Sequence, residues 1–260
     1  MTAENERIEV GGMTLWMRRA GAGPTLLYLH GFDGAAAAGA VTDRLARDFC
    51  VLVPDHPGMG KSDTPPWLDT IHDFAYFYLD LLKVLDLDDV HLVGLDLGGW
   101  IALEIAIRSV ERLRSLTVIG SAGIHVTGVP KGDLFMRAPD VVLRSLFADP
   151  AKADALLARK PTREEEDTLL KNRFAIARVG WHPPLTDPHL AKWLHRIELP
   201  VHIIWGDTDR LLPIAYAREF ERLLPGSRST TLAECGHAAH LEKPEALAAA
   251  VAAFIQEHAR

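Results

Sequence analysis

An aspartate stands where the sequence turns most sharply from a buried strand into a helix. Residues 90–100 read V-H-L-V-G-L-D-L-G-G-W: an apolar run into Gly94, one polar residue at Asp96, then Gly98 and Gly99 opening a helical pattern. This is the pattern of a nucleophile elbow, a tight strand-to-helix turn that exposes the side chain at its apex. Gly94 and Gly98 flank the apex because its backbone is strained and side chains two positions to either side would collide. The usual occupant is serine. A carboxylate there is ionised at neutral pH and needs no base to prepare it for attack. Attack on an ester carbonyl would give a mixed anhydride, from which carboxylate, the better leaving group, is expelled again. Attack on a saturated carbon bearing a halide, or on a strained epoxide, gives instead a stable alkyl ester of Asp96. The motif alone equally allows Asp96 to be only a turn residue, since aspartate favours strand-to-helix junctions and helix N-caps.

Such an apex needs a sheet to present it, and the chain supplies one. Residues 7–10 and 14–18, joined through Gly11-Gly12, predict an opening hairpin. Continuous apolar runs at residues 25–29, 50–53, 116–119 and 201–205, with residues 229–232, predict further strands. Helical patterns separate them: the alanine-rich segment to residue 47, then residues 70–85, 97–108, 214–224 and 244–256. Alternation of buried strands with helices predicts an α/β fold, a mostly parallel, doubly wound sheet covered on both faces. The rhythm breaks over residues 122–196, where only helical patterns occur, with a capping-box spacing at Thr162-Arg163-Glu164-Glu165 and a loop at Trp181-His182-Pro183-Pro184. We read this block as an inserted helical cap on a core formed by residues 1–121 and 197–260.

Composition narrows the ligand. The chain of 260 residues is 48% hydrophobic with a formal charge of −7, enough for a substantial core and adverse to nucleic acid or an anionic membrane as partner. A small, uncharged molecule fits better. The polar, charged opening residues are unlike a signal peptide and no apolar run is long enough to span a bilayer, so a cytoplasmic location is expected. Cys50 and Cys235 lack metal-like spacing and are expected to be reduced thiols. No cofactor or metal motif is read, and oligomeric state is not legible.

Three loops besides the elbow follow strand ends, where an open parallel sheet places its active site. They are His30-Gly31-Phe32, Trp205-Gly206-Asp207-Thr208-Asp209-Arg210 and Gly236-His237-Ala238-Ala239-His240-Leu241-Glu242. Together with P-D-H-P-G-M-G-K-S-D after residue 53 and G-L-D-L-G-G, in this order, they make the whole chain from about residue 7 resemble the α/β-hydrolase fold family. The resemblance implies a triad of Asp96 as nucleophile, His237 as base and Asp209 as the acid that orients it, with Asp207 as runner-up acid or turn cap. It also implies an oxyanion hole from the backbone N–H groups of Phe32 and Leu97. His237 could then activate water against an ester of Asp96. His30 is expected to be structural, His240 to cap or pack, and the run from Glu164 to Asp167 to be a solvated helix start. Trp100, one helical turn beyond Asp96, and Trp181 and His182 in the cap loop are candidate pocket residues, with core packing the competing reading of Trp100.

An aspartate at the apex resembles haloalkane and fluoroacetate dehalogenases and epoxide hydrolases of that fold, but the details depart. Leu97 stands where dehalogenases carry a tryptophan or arginine. Asp33 replaces the proline usual in epoxide hydrolases, and no tyrosine falls in the cap to serve as acid. The frame L-G-G-W-I-A-L-E-I-A is more similar to serine esterases and carbon–carbon bond hydrolases. The expected activity is therefore hydrolysis of a small halide or epoxide through an alkyl-enzyme ester. The alternatives are ester, lactone or carbon–carbon bond hydrolysis with Asp96 in place of serine as a general base, and a non-enzymatic ligand-binding or receptor protein.

Overall fold

The computed structural model describes residues 3–258; residues 1, 2, 259 and 260, the outermost of the two expected core segments, lie outside them. Strand β1 (Glu4–Val10) forms a hairpin with β2 (Met13–Ala20), followed by β3 (Thr25–Leu29), helix α1 (Gly39–Leu45), β4 (Cys50–Pro54), α2 (Ile71–Val84), β5 (Val90–Leu95), α3 (Leu97–Ala106) and β6 (Leu113–Ile119). Helices α4 (Pro139–Ser145), α5 (Pro150–Leu157), α6 (Arg163–Gly180) and α7 (Leu190–Trp193) then come before the next strand. The chain closes with β7 (Val201–Gly206), α8 (Ala215–Leu223), β8 (Arg228–Leu232), α9 (Ala239–Glu242) and α10 (Pro244–Glu257).

The strands make one sheet in the order β1-β2-β4-β3-β5-β6-β7-β8, parallel except where β2 pairs with β1 and with β4. Alternation along each strand divides the core into two layers. Leu27 and Leu29 pack with α2 and α3 on one face, while Leu26 and Tyr28 pack with α1 and α10 on the other. The α/β sheet covered on both faces is as its apolar strands require, since a strand buried twice has no polar side to show water. The winding reverses between β3 and β5: β4 lies on one side of β3 and β5 on the other. A crevice opens at such a reversal, outside the carboxyl ends of the strands.

Several boundaries differ from those read in the sequence. The opening hairpin is longer, because cross-strand pairing from Glu4↔Arg19 to Val10↔Met13 carries its polar ends. The alanine-rich stretch is a short 3-10 turn over Ala35–Ala38, and regular helix begins only at Gly39. Thr70 is the N-cap of α2 rather than its first residue, accepting from Asp73 N–H in a capping box. The expected capping box at Thr162 and Glu165 opens α6. Between β6 and β7 the only pairing among the described residues is an isolated bridge, Gly123↔Thr186. No helix among the described residues is long and apolar enough to cross a membrane.

The elbow depends on two absent side chains. A Cβ on Gly98 would lie 2.0 Å from the carbonyl oxygen of Leu29, and one on Gly94 would lie 2.3 Å from that of Gly98. Both obstacles are backbone, so neither can yield without shifting an element. Gly39, by contrast, is in a helical conformation with nothing near its Cβ position. Gly98→Ala is therefore expected to lower the free energy of unfolding by about 2 kcal/mol or more through overpacking. Gly39→Ala should raise it by about 0.5 kcal/mol through helix propensity. Urea unfolding of both variants checks the contrast, and equal effects would contradict it.

Candidate active site

Asp96 sits between the end of β5 and the start of α3, at the sheet reversal, with φ 51° and ψ −109°. A non-glycine residue stays in so strained a conformation only when its surroundings hold it. Here its N–H donates to the carbonyl of Ile119, 2.9 Å away, and its own carbonyl accepts from Trp100 N–H at 3.1 Å and Ala122 N–H at 3.3 Å. The pinned backbone directs the side chain across the gap toward the loop after β3. Phe32 N–H donates to Asp96 Oδ2 at 3.2 Å. Leu97 follows as the first residue of α3, in the helical turn whose N–H groups lack intrahelical acceptors.

The loop after β8 brings His237 to the other carboxylate oxygen. His237 Nε2 lies 3.4 Å from Asp96 Oδ1, and among the described residues neither atom has a hydrogen-bond partner. On its far side His237 Nδ1 donates to Asp209 Oδ2 at 2.7 Å. Asp209 is held in turn: its Oδ1 accepts from the N–H groups of Leu211, at 2.9 Å, and Leu212, at 2.8 Å. Asp207 is exposed and bonds Glu234 N–H and Cys235 N–H, a turn cap remote from the imidazole. The ring of Phe32 lies parallel to that of His237, with centroids 6.1 Å apart.

Electrostatics follow from this arrangement. Burial alone would push the His237 imidazole down, but Asp209, through charge and hydrogen bond, and then Asp96 outweigh it and hold the group up at about 10. An imidazolium thus lies between two buried carboxylates at neutral pH.

The remaining side chains named from the sequence separate. Trp100 is buried but does not line the cavity at Asp96: it packs against Gly123 and Leu190 and donates from its indole to Glu104 Oε1 at 3.3 Å. Trp181 is 50% exposed against Phe135, and His182 is exposed, so both stand away from that cavity. The segment between β6 and β7 instead contributes Leu143, Leu146 and Phe147, apolar residues with no chemical signature to single them out beforehand. They close with Phe32, Leu241, Asp96 and His237 on a cavity of about 40 Å³. A larger groove of about 470 Å³ between α6 and the loop after β4 touches none of the triad.

His30 is structural: its Nδ1 meets Gly31 O at 2.6 Å and its Nε2 accepts from His56 N–H at 3.1 Å. His240 does more than pack. Its Nε2 lies 2.6 Å from Asp33 Oδ2, and both residues line the cavity. Glu242 was also passed over in the sequence. Its buried carboxylate accepts from Gly236 N–H at 2.6 Å and from Ala148 N–H at 3.0 Å, tying the His237 loop to the segment between α4 and α5. Nothing in its neighbourhood, where His240, Lys243 and Glu245 are also polar, sets it apart in the sequence.

One cluster has metal-ligand chemistry. His72, Glu104 and Asp187 bring ligand atoms within 4.8 Å of one another. Arg108 already fills it, with Nη1 donating to Glu104 Oε2 at 2.6 Å and Nη2 lying 2.8 Å from His72 Nδ1. A cation of the protein itself thus balances the acids. Cys50 and Cys235 are both free thiols, and burial pushes Cys235 up to about 12.

Comparison with known proteins accords with this architecture. A family model described as the alpha/beta hydrolase family matches residues 26–250. An uncharacterized protein of Mycobacterium bovis is 28% identical over 255 residues, covering 88% of this chain and 74% of its own. The 2-hydroxy-6-oxo-6-(2'-aminophenyl)hexa-2,4-dienoic acid hydrolase of Metapseudomonas resinovorans is 25% identical over 268 residues, covering 97% and 91%. The crystal structure of a serine hydrolase from the polyaromatic hydrocarbon-degrading bacterium Cycloclasticus zankles superposes with a TM-score of 0.81 at 18% identity, covering 98% of each chain.

The raised His237 value has a consequence for stability. A folded-state value above the ordinary 6.5 stabilises the fold fully below about pH 6.5, and that contribution is lost as pH rises toward about 10. Removing one of the two negative partners should bring the value down. In Asp96→Asn the His237 ring resonances are expected to titrate at lower pH than in the parent protein, read by NMR. An unchanged titration would show that Asp96 carries none of the charge coupling.

Proposed function

The chain belongs to the alpha/beta hydrolase family, and from that premise we propose that it hydrolyses a small electrophile, a halide or an epoxide, through an alkyl ester of Asp96. The observation that carries this reading is the unequal state of the two Asp96 oxygens. Oδ2 is engaged by Phe32 N–H, while Oδ1 is buried without a hydrogen bond among the described residues. Oδ1 faces His237 Nε2 at 3.4 Å and is held by no closer donor, whereas Oδ2 is engaged at Phe32 N–H, so we assign Oδ1 as the attacking atom.

Attack forms the bond from Oδ1 to carbon and breaks the bond to halide or to the epoxide oxygen. The oxygen left as the ester carbonyl is Oδ2, already at the Phe32 N–H. Charge that develops there when water attacks the ester meets a donor fixed in advance. Timing comes from His237. While Asp96 is ionised, His237 keeps its proton and cannot act as base. Esterification removes one of its two negative neighbours, so its affinity for a proton falls; it releases its proton to solvent, and the neutral imidazole then takes one from the attacking water. Asp209 keeps the ring oriented through both steps.

A second reading, ester or carbon–carbon bond hydrolysis with Asp96 as a general base, is supported by the relatives that carry hydrolase names of that kind. It asks Asp96 to take a proton from water while His237 beside it is held protonated, which lowers the basicity of that carboxylate. The apolar cavity of about 40 Å³ favours a small substrate in either reading. For anything larger, Leu143, Leu146 and Phe147 must move, the part we assign to residues 122–196 as a cap.

Attack does not need His237, but hydrolysis does. His237→Gln should therefore accumulate a covalent adduct, seen by intact-protein mass spectrometry as the added alkyl mass and mapped to the peptide holding Asp96. The substrates are a panel of short-chain alkyl halides and terminal epoxides. Steady turnover by the parent protein should fall by about 10²-fold or more in the variant, as for loss of a general base. An adduct with none of the panel, beside ester turnover that His237→Gln abolishes, would favour the second reading; binding without any turnover would point to a receptor.

A further inference from the structure

The step above leaves the charge on the departing group unanswered. When Asp96 Oδ1 attacks carbon, a halide ion or an alkoxide appears on the opposite side, inside an apolar cavity. An unassisted anion there is costly. Leu97 offers only a backbone N–H, and the residues between β6 and β7 at this cavity are the apolar Leu143, Leu146 and Phe147.

Besides Asp96 and His237, the polar side chains of the wall are His240 and Asp33. His240 lies in the first turn after His237, is 4% exposed, and its Nδ1 is buried with no hydrogen-bond partner among the described residues. Its other nitrogen is committed to Asp33 at 2.6 Å. Asp33 comes from the same loop as Phe32, and its Oδ1 lies 3.4 Å from the point where a Cβ on Gly31 would stand; Asp96 Oδ2 lies at the same distance from that point. The two carboxylates therefore flank one small space, the first bound to an imidazole and the second free to attack. Burial would raise the Asp33 carboxyl, yet the neighbouring His240, with His30 behind it, holds it below the ordinary value. The titratable groups around the pair are Tyr28 beneath the loop, His30, Asp96 and His237.

We propose that His240, held by Asp33, is the donor that receives the departing group: its Nδ1–H protonates the oxygen of an opened epoxide or hydrogen-bonds a leaving halide. The proposal rests on the alkyl-ester reading of Asp96. In the epoxide case the carbon–oxygen bond breaks with its electron pair going to oxygen, and the proton moves from His240 Nδ1 to that oxygen. The imidazole left behind is neutral, and its Nε2–H still donates to Asp33. Hydrolysis of the Asp96 ester consumes one water and releases one proton with the regenerated carboxylate, which restores His240 through solvent. In the halide case the anion leaves with the bonding pair and accepts the Nδ1–H without proton transfer.

The test measures alkylation alone, in the His237→Gln background, with and without His240→Phe, and separately with Asp33→Asn, which preserves volume should the phenylalanine fail to fold. Three probes differ in leaving group: a primary alkyl iodide, the matching chloride and a terminal epoxide. Loss of a donor should slow adduct formation by about 10²-fold with the epoxide, as for removal of a general acid. The chloride should suffer less, and the iodide, which leaves readily, least. Equal slowing with all three would mark a structural defect, and no slowing would mark an idle residue; either overturns the proposal while leaving Asp96 as nucleophile. Absence of adduct in His237→Gln itself, with His240 intact, would instead overturn the underlying reading.

Discussion

Everything at the site depends on how closely the first turn of α3 approaches the end of β3. A Cβ on Gly98 would stand 2.0 Å from Leu29 O and 2.7 Å from His30 O, so only glycine lets the two backbones meet. That approach brings residue 96 within hydrogen-bond reach of the loop carrying Phe32 N–H. The sheet order puts β3 and β5 side by side at the reversal, with Leu29 in register with Gly94. Strain at residue 96 is held by three backbone hydrogen bonds to elements that are themselves buried, and it is spent on pointing a single side chain.

The electrostatic consequence is a buried row of alternating charge. Asp209, His237 and Asp96 lie in line, each no more than 5% exposed. Burying three ionised groups is unfavourable, and mutual attraction offsets the desolvation only with good geometry and further hydrogen bonds. Asp209 has these, from two backbone N–H groups and His237; Asp96 has one, from Phe32. The least satisfied member of the row is the one to which the proposed function assigns attack. The same economy links the neighbouring parts: Glu242 organises the loop that carries His237, and Arg108 neutralises Glu104 beneath Trp100.

Much of this was legible beforehand because it was local. Apolar runs marked the strands buried on both faces, and glycines two residues either side of Asp96 marked the elbow. The four loops at strand ends carried Phe32, Asp96, Asp209 and His237, which the fold brings together. What could not be read were relations set by packing. Asp33 and His240 are 207 positions apart and meet only because the 3-10 turn over Ala35–Ala38, α9 and the loop after β3 converge at one sheet end. Trp181 and His182 seemed suited to a pocket by residue type, but type does not fix the face a cap loop presents, and both are exposed. Leu143, Leu146 and Phe147 close the cavity and look like any other apolar helix residues.

The central claim is that Asp96 becomes an ester during each turnover, and oxygen isotopes report on it most directly. In a single turnover in heavy-oxygen water, with protein in excess over a substrate that it converts, water attacks the carboxyl carbon of Asp96 and not the substrate. Label is predicted in the Asp96 carboxylate, found by mass spectrometry of the peptide containing it, and unlabelled oxygen in the product. Label appearing at once in the product, with Asp96 unlabelled, would contradict the account and assign Asp96 to a general base acting on water.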